Sequence, residues 1–304
     1  VITAISNSSP DCGEAFQEES VTVSATFTDA NAGDSHTAVI DWGDGTTSVG
    51  TVTESNGSVA GSHVYAAGGY YTITVTVSDG GLSDSDVTSS VIGGVGLHGG
   101  VLYIIGTDGK DVVHVNATHG NRLNVHANFD VGRRSHGHCN EDLDDDDWSD
   151  EDSDDDDHDR GHDRDDDDDD RNHHRDRDDD HDDDHDRGDR MTPIEMSLCD
   201  GDDVGHVTRR VLIPSLIDGE EGNDKLRGGG GNDTVLGGTG DDKLWAATGN
   251  DLLDGGDGND KLFGGQGCDT LLGGKGCDDI RADRGAASIS GGDGNDDIFA
   301  GRGR

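Results

Sequence analysis

Aromatic residues make up only 4% of this 304-residue chain, and hydrophobic residues of every kind only 29%. That is too little apolar material for one large core, although the length leaves room for about two or three domains. Basic residues are scarce beside acidic ones, 22 against 67, and the net charge is -45. A surface of that sign repels phosphate, which excludes nucleic acid as an electrostatic partner. Cations are its natural counterparts. The cysteines number five, an odd count, and no CxxC pair occurs among them, which argues against a zinc ribbon or a thioredoxin-like centre. No apolar run is long enough to span a membrane. HExxH and GxSxG are both absent, and Gly33–His36 is a hydrophilic turn rather than a nucleophile site. These residues therefore do not read as an enzyme. The chain opens at Val1 without a signal peptide and stops inside a repeat at Arg302–Arg304, which predicts a processed form or a piece of something longer.

What is present divides into regions of different texture. Residues 1–93 alternate Val, Thr and Ser with apolar residues, as in Val21–Phe27 and Tyr71–Val77. Such alternation predicts strands with one buried face. Turn clusters at Asp44-Gly45 and Asp79–Gly81 separate them, and several short strands over this length suggest a β-sandwich. Trp42-Gly43-Asp44-Gly45, then His63-Val64-Tyr65, then Gly69–Asp79 resemble a PKD domain. The resemblance implies an immunoglobulin-like sandwich of an extracellular protein, acting as a spacer without chemistry of its own. Trp42 is expected in its core, with Gly43 and Gly45 allowing a tight turn.

Residues 98–138 continue with strand-like runs at Val101–Ile105, Val112–Val115 and Leu123–Ala127. Gly106–Asp111 looks like a diverged copy of the repeat described below. Residues 191–218 resume that texture with Cys199–Val204 and Val211–Ile217. Both segments read as early coils of one solenoid. Between them, residues 139–190 are low in complexity: 28 Asp and two Glu stand against seven Arg in 140–190. Such a tract cannot bury enough surface to offset its ordering entropy, and disorder is expected. The plain reading is a solvated, self-repelling loop. Diffuse binding of divalent ions or mineral surfaces, and transition-metal binding through His158, His162, His173, His174, His181 and His185, are the alternatives.

From Gly219 to the end the chain keeps a nine-residue register, with units starting at 219, 228, 237, 246, 255, 264, 273, 282, 291 and 300. Glycine fills position one at Gly219, Gly228, Gly237, Gly255, Gly264 and Gly273. It fills position four at Gly222, Gly231, Gly240, Gly249, Gly258, Gly267 and Gly276, and at each later unit. Position six is Asp224, Asp233, Asp242, Asp251, Asp260, Asp269, Asp278, then Ala287, then Asp296. Position eight is aliphatic from Leu226 to Ile298. Glycine permits backbone angles that side chains forbid and leaves carbonyls exposed. Aspartate supplies a hard anionic oxygen. The aliphatic column points inward from short strands. A disordered Gly/Asp linker has no reason to place Leu, Val or Ile at every ninth residue.

These columns resemble the RTX, or haemolysin-type, repeat G-G-x-G-x-D-x-U-x. The resemblance implies a right-handed parallel β-roll with two units per coil, so that units eighteen residues apart stack. It also implies several Ca²⁺ ions, each held between stacked loops by Asp side chains and loop carbonyls. One edge would stack Asp224, Asp242, Asp260, Asp278 and Asp296. The other would stack Asp233, Asp251 and Asp269 and lose its last site at Ala287. Asp111 is the corresponding ligand of the diverged first copy. The fold expected for the whole is all-β: a PKD-like sandwich, then a parallel β-roll over 219–304 preceded by degenerate coils, with the acidic insertion thrown out of it. Calcium-dependent folding in a secreted or cell-surface protein, with structural or adhesive service, is the function this implies. An accessory region of a secreted hydrolase, its catalytic part elsewhere, is the alternative.

Position nine faces outward and carries Trp245, Phe263 and Phe299, with Arg227 and Arg281 in the same column. This stripe is either a docking surface for a protein or cell-surface partner or a ladder that stabilises the roll. Cys268 and Cys277 fall on opposite edges and cannot pair. Cys139 and Cys199 flank the insertion and are a candidate pair that would close its base.

Overall fold

The computed structural model describes residues 1–12, 14–30, 33–98, 100–117, 122–129 and 193–301. The acidic tract, its histidines and Cys139 lie outside the described residues. Strands account for the regular structure throughout, and no helix occurs among the described residues.

The N-terminal part contains β1 (Ile2–Asn7), β2 (Ser20–Phe27), β3 (Thr37–Asp41), β4 (Thr47–Thr53), β5 (Ser58–Val64), β6 (Gly69–Ser78) and β7 (Ser83–Ile92). They lie in the order β1-β2-β5-β4-β3-β6-β7, every pair antiparallel. Strand β4 pairs with β3 through Thr47–Gly50 and with β5 through Thr51–Thr53, so it passes from one layer of the sandwich to the other. The alternation read in the sequence appears as strict in-out burial along β2. Val21, Val23, Ala25, Ile40, Trp42, Val59, Tyr65, Ile73 and Val75 form the core. Trp42 is 1% exposed, and its indole N–H donates to Ser48 Oγ at 2.9 Å. The Tyr65 hydroxyl donates to the Trp42 carbonyl at 2.9 Å, so both buried polar groups are satisfied. Gly43 has φ +78°, and a Cβ there would lie 2.6 Å from the Thr72 carbonyl oxygen. Only glycine turns the chain that close to β6.

The second part begins with β8 (Gly94–His98), β9 (Val101–Ile105), β10 (Val112–Ala117) and β11 (Leu123–Asn128). It resumes with β12 (Ile194–Ser197), β13 (Val204–Val207), β14 (Ser215–Asp218), β15 (Lys225–Gly229), β16 (Thr234–Thr239), β17 (Lys243–Ala247) and β18 (Leu252–Asp257). It ends with β19 (Lys261–Phe263), β20 (Gln266–Gly267), β21 (Thr270–Gly276), β22 (Asp279–Arg281), β23 (Arg284–Gly285), β24 (Ser288–Gly294) and β25 (Asp297–Phe299). Two sheets of a parallel β-solenoid result. One runs β10-β13-β15-β17-β19-β22-β25 and the other β9-β12-β14-β16-β18-β21-β24, all parallel. From β15 onward stacked partners are eighteen residues apart, as in Leu226↔Leu244 and Val235↔Leu253.

Strands β9, β10, β12 and β13 join these sheets in parallel register, so Val101–Ile105 and Val112–Val115 stack as coils. Leu123–Asn128 does not. Strand β11 returns antiparallel to β10 and closes that sheet with a hairpin, while β8 does the same against β9. A short alternating strand carries no mark of which way its neighbour runs.

The solenoid core is one aliphatic residue per unit. Leu226, Val235, Leu244, Leu253, Leu262, Leu271 and Ile280 are fully buried. Each contributes roughly 1.5–3 kcal/mol by the usual area argument. Ile298, expected to point inward like the rest, is 47% exposed, because no further coil among the described residues covers β25.

Sandwich and solenoid meet through backbone and rings. The Gly93 N–H donates to the Ala15 carbonyl and the Gln17 N–H to the Gly93 carbonyl, both at 2.9 Å. His98 stacks between Tyr71 of the sandwich and Tyr103 of β9, at 5.2 and 4.4 Å.

Candidate metal centre

The sixth-position aspartates build two ladders along the solenoid edges. On the first, the backbone N–H of Asp224 donates to Oδ1 of Asp242, Asp242 to Asp260, and Asp260 to Asp278, at 2.8–2.9 Å; Asp278 donates to Asp296 at 3.1 Å. On the second, Asp233 donates to Asp251 at 2.8 Å and Asp251 to Asp269 at 3.1 Å. Each carboxylate thus uses one oxygen to hold the preceding coil in register.

The other oxygen has no such use. Oδ2 of Asp203, Asp224, Asp233, Asp242, Asp251, Asp260, Asp269 and Asp278 is buried without a hydrogen-bond partner. An unsatisfied buried carboxylate oxygen is costly, and here the cost recurs at eight aspartates. Burial, as the largest cause, pushes these acids upward: Asp224 to about 8, Asp203, Asp251 and Asp260 to about 7, and Asp242 to about 6. Asp233, Asp269 and Asp278 are raised for the same reason.

The space beside each free oxygen is kept open by glycine. A Cβ at Gly219, Gly237, Gly255 or Gly273 would overlap Oδ2 of Asp224, Asp242, Asp260 or Asp278. It would also crowd the carbonyl of Gly237, Gly255, Gly273 or Gly291, one coil on. On the second edge a Cβ at Gly228 would lie 2.9 Å from both Asp233 Oδ2 and the Ala246 carbonyl, and one at Gly264 2.9 Å from Asp269 Oδ2. Carboxylate oxygen and backbone carbonyl therefore converge on a cradle that only glycine leaves empty. Hard oxygens of this mixed kind suit Ca²⁺. Among the described residues no three His, Cys, Asp or Glu side chains converge to hold a metal, so an ion here needs the carbonyls.

Position four serves stacking. Gly222, Gly240, Gly249, Gly258, Gly267 and Gly276 have φ between +129° and +154°, and a Cβ on any of them would overlap the backbone of the coil before. Gly231 lacks that positive φ but is equally crowded, by the Ile213 carbonyl. Position two bends left-handed as well, and three side chains endure it: Glu220 at +69°, Ala247 at +77° and Asp283 at +55°.

The degenerate coils differ from the rest. Asp111 is fully buried and its N–H donates to Asp203 Oδ1 at 2.6 Å, so it stands at the head of the first ladder. Its own carboxylate accepts from the Thr107 N–H at 2.7 Å and the Thr107 hydroxyl at 3.1 Å. Asp203, absent from the sequence-based ligand set, has the free oxygen that Asp111 lacks. Its signal was visible in Gly201 and Asp203, spaced as in the repeat. On the second edge Ser215 takes the place of an aspartate and donates to Asp233 Oδ1 through both N–H and hydroxyl at 2.8 Å.

An outer ladder at position five escaped the sequence reading. The N–H of Asp241 donates to Asn223 Oδ1, that of Asn259 to Asp241, and that of Cys277 to Asn259, at 2.7–2.9 Å. Asn232, Asn250 and Cys268 repeat this on the second edge. These bonds run opposite in direction to those at position six. Cys268 and Cys277 are free and exposed on the two edges.

Cys199 pairs with Cys12 of the sandwich, with Cα atoms 5.9 Å apart. This corrects the expected Cys139–Cys199 bridge: flanking an insertion is weaker evidence than the approach of the sandwich to the solenoid. Side chains of the position-nine stripe stack on one another. Trp245 and Phe263 stack at 5.4 Å, and Arg281 lies 5.7 Å over Phe263 and 5.6 Å over Phe299.

Neither a curated protein nor a solved structure matches the chain. Four copies of the RTX calcium-binding nonapeptide repeat match residues 216–244, 236–271, 245–278 and 272–304, and the PKD domain family matches residues 12–92. Residues 12–92 thus form a PKD domain, and residues 216–304 are RTX calcium-binding repeats wound into a parallel β-solenoid.

Proposed function

We propose that the roll folds on calcium and serves as a structural or adhesive region of a secreted or surface protein. The observation that carries this reading is the row of buried, unpartnered Oδ2 atoms. Asp224, Asp242, Asp260, Asp278 and Asp296 would supply carboxylates on the first edge, and Asp233 and Asp269 on the second. First-position carbonyls complete each site. A bound Ca²⁺ supplies the positive charge that these oxygens lack. Its binding free energy is then folding free energy, since the sites do not exist in the unfolded chain. Extracellular calcium modules work at about 10⁻⁴ to 10⁻³ M, which suits a chain that is unfolded before export and folded after it. The PKD domain fits a spacer, and the role of these residues is structural rather than catalytic.

Circular dichroism of the full chain in calcium and in chelator tests the proposal. Strand signal that rises with calcium, beyond the constant share of the sandwich, is the expected result. Equal strand signal in both conditions defeats it.

A further inference from the structure

The cradles are not equal, and the difference lies at position one rather than in the aspartates. Every first-edge coil from Gly219 onward keeps glycine there: Gly219, Gly237, Gly255, Gly273 and Gly291. The second edge alternates Gly228, Ala246, Gly264, Ala282. Ala246 is fully buried. Its register neighbours Gly228 and Gly264 aim their Cβ directions at the free oxygen of their own aspartate, 2.9 Å away in each case. The Ala246 methyl therefore stands where the cradle of Asp251 should be open. Asp251 is 3% exposed and its Oδ2 has no hydrogen-bond partner. It keeps the register bond to the Asp233 N–H, and that alone accounts for its retention.

The same rule covers two other coils. Leu198 holds position one ahead of Asp203 and is fully buried. Ala282 holds it in the coil that has also lost its aspartate, at Ala287. A coil without an open cradle has no use for the acid as a ligand.

We infer that, among aspartates with a free carboxylate oxygen, position one decides which take an ion: glycine-lined cradles at Asp224, Asp242, Asp260, Asp278, Asp233 and Asp269 fill, whereas those at Asp251 and Asp203 are closed by the side chains of Ala246 and Leu198. The inference rests on the calcium reading above. It makes the second edge interrupted in its middle as well as ended at Ala287, and it leaves the first edge as the continuous row from Asp224 onward.

Crystals of the full chain grown in calcium resolve the question site by site. Ordered ions are expected beside Asp242 and Asp260, and none beside Asp251. In the Ala246→Gly variant an ion joins Asp251, and in Gly237→Ala the ion beside Asp242 is lost while that beside Asp260 stays. An ion beside Asp251 in the parent, at an occupancy equal to that beside Asp260, overturns the inference. So does an Asp242 site that stays full in Gly237→Ala, or an Asp251 site that stays empty in Ala246→Gly. Crystals with no ion in any cradle overturn the calcium reading itself.

Discussion

The backbone N–H of Asp242 donates to Oδ1 of Asp260 at 2.8 Å, while Oδ2 of Asp260 is buried with no hydrogen-bond partner. One carboxylate thus has two separate duties. One oxygen fixes the spacing of coils, and the other is the one the proposed calcium site would use.

Asp260→Asn separates the two duties. The amide oxygen keeps the bond to Asp242, whereas the amide nitrogen cannot ligate a cation. In chelator the variant is expected to be at least as stable as the parent, because a buried acid is gone. In calcium it loses roughly 1–3 kcal/mol, the usual scale for removing a charged partner from a buried site. Calcium titrations followed by circular dichroism read this as a higher midpoint. A variant that matches the parent in saturating calcium contradicts the ligand role of Asp260.

The Cys12–Cys199 bond closes a segment of 187 residues that contains the rest of the sandwich and the first coils. By the chain-entropy argument such a loop is worth up to about 5 kcal/mol. Cys12→Ser is expected to lower the thermal midpoint in calcium and to add one free thiol, that of Cys199. Peptide mapping of the unreduced protein should recover Cys12 joined to Cys199, with Cys268 and Cys277 open to alkylation. Recovery of a Cys139–Cys199 peptide refutes the pairing.

Repetition made most of the solenoid readable. Leu226 through Ile280 and Asp224 through Asp278 each recur at nine residues, and a column of that kind has one explanation. Trp42 and the alternating strands placed the sandwich core equally well. Features that do not repeat stayed hidden. Cys12 and Cys199 meet only because the sandwich packs beside the coil that starts at Leu198. Strand β11 looks like any other strand until its partner is known. The outer ladder at Asn223, Asp241 and Asn259 is polar and exposed, so composition alone cannot separate it from a solvated face. Ala246 looks harmless in sequence, since alanine for glycine is a small change; its cost exists only where an oxygen sits in the path of the methyl group.

The stack of Trp245 on Phe263 should stabilise the roll directly. Stacked pairs contribute about 1 kcal/mol beyond the area they bury. A double-mutant cycle of Trp245→Ala and Phe263→Ala, measured by thermal unfolding in calcium, is expected to show coupling of that size. Strictly additive losses would mean that the rings do not support each other, and would favour a stripe kept for a partner.

Acidity should act in opposite directions with and without the metal. In the metal-free roll, burial raises Asp224 to about 8, Asp203, Asp251 and Asp260 to about 7, and Asp242 to about 6, from an ordinary value of 3.8. Between 3.8 and those values the folded roll holds protons that the unfolded chain has released. Its stability therefore falls as pH rises through that window and is greatest below it. The chelated protein is expected to retain more strand signal at pH 5 than at pH 9. Calcium must displace the protons of Asp224, Asp242 and Asp260 to bind beside them, so its apparent affinity rises over the same range, and binding at pH 6 releases protons to the buffer. Calorimetry in two buffers of different ionisation enthalpy measures that release. No proton release at pH 6, together with a chelated roll indifferent to pH, would place the metal away from the buried aspartates.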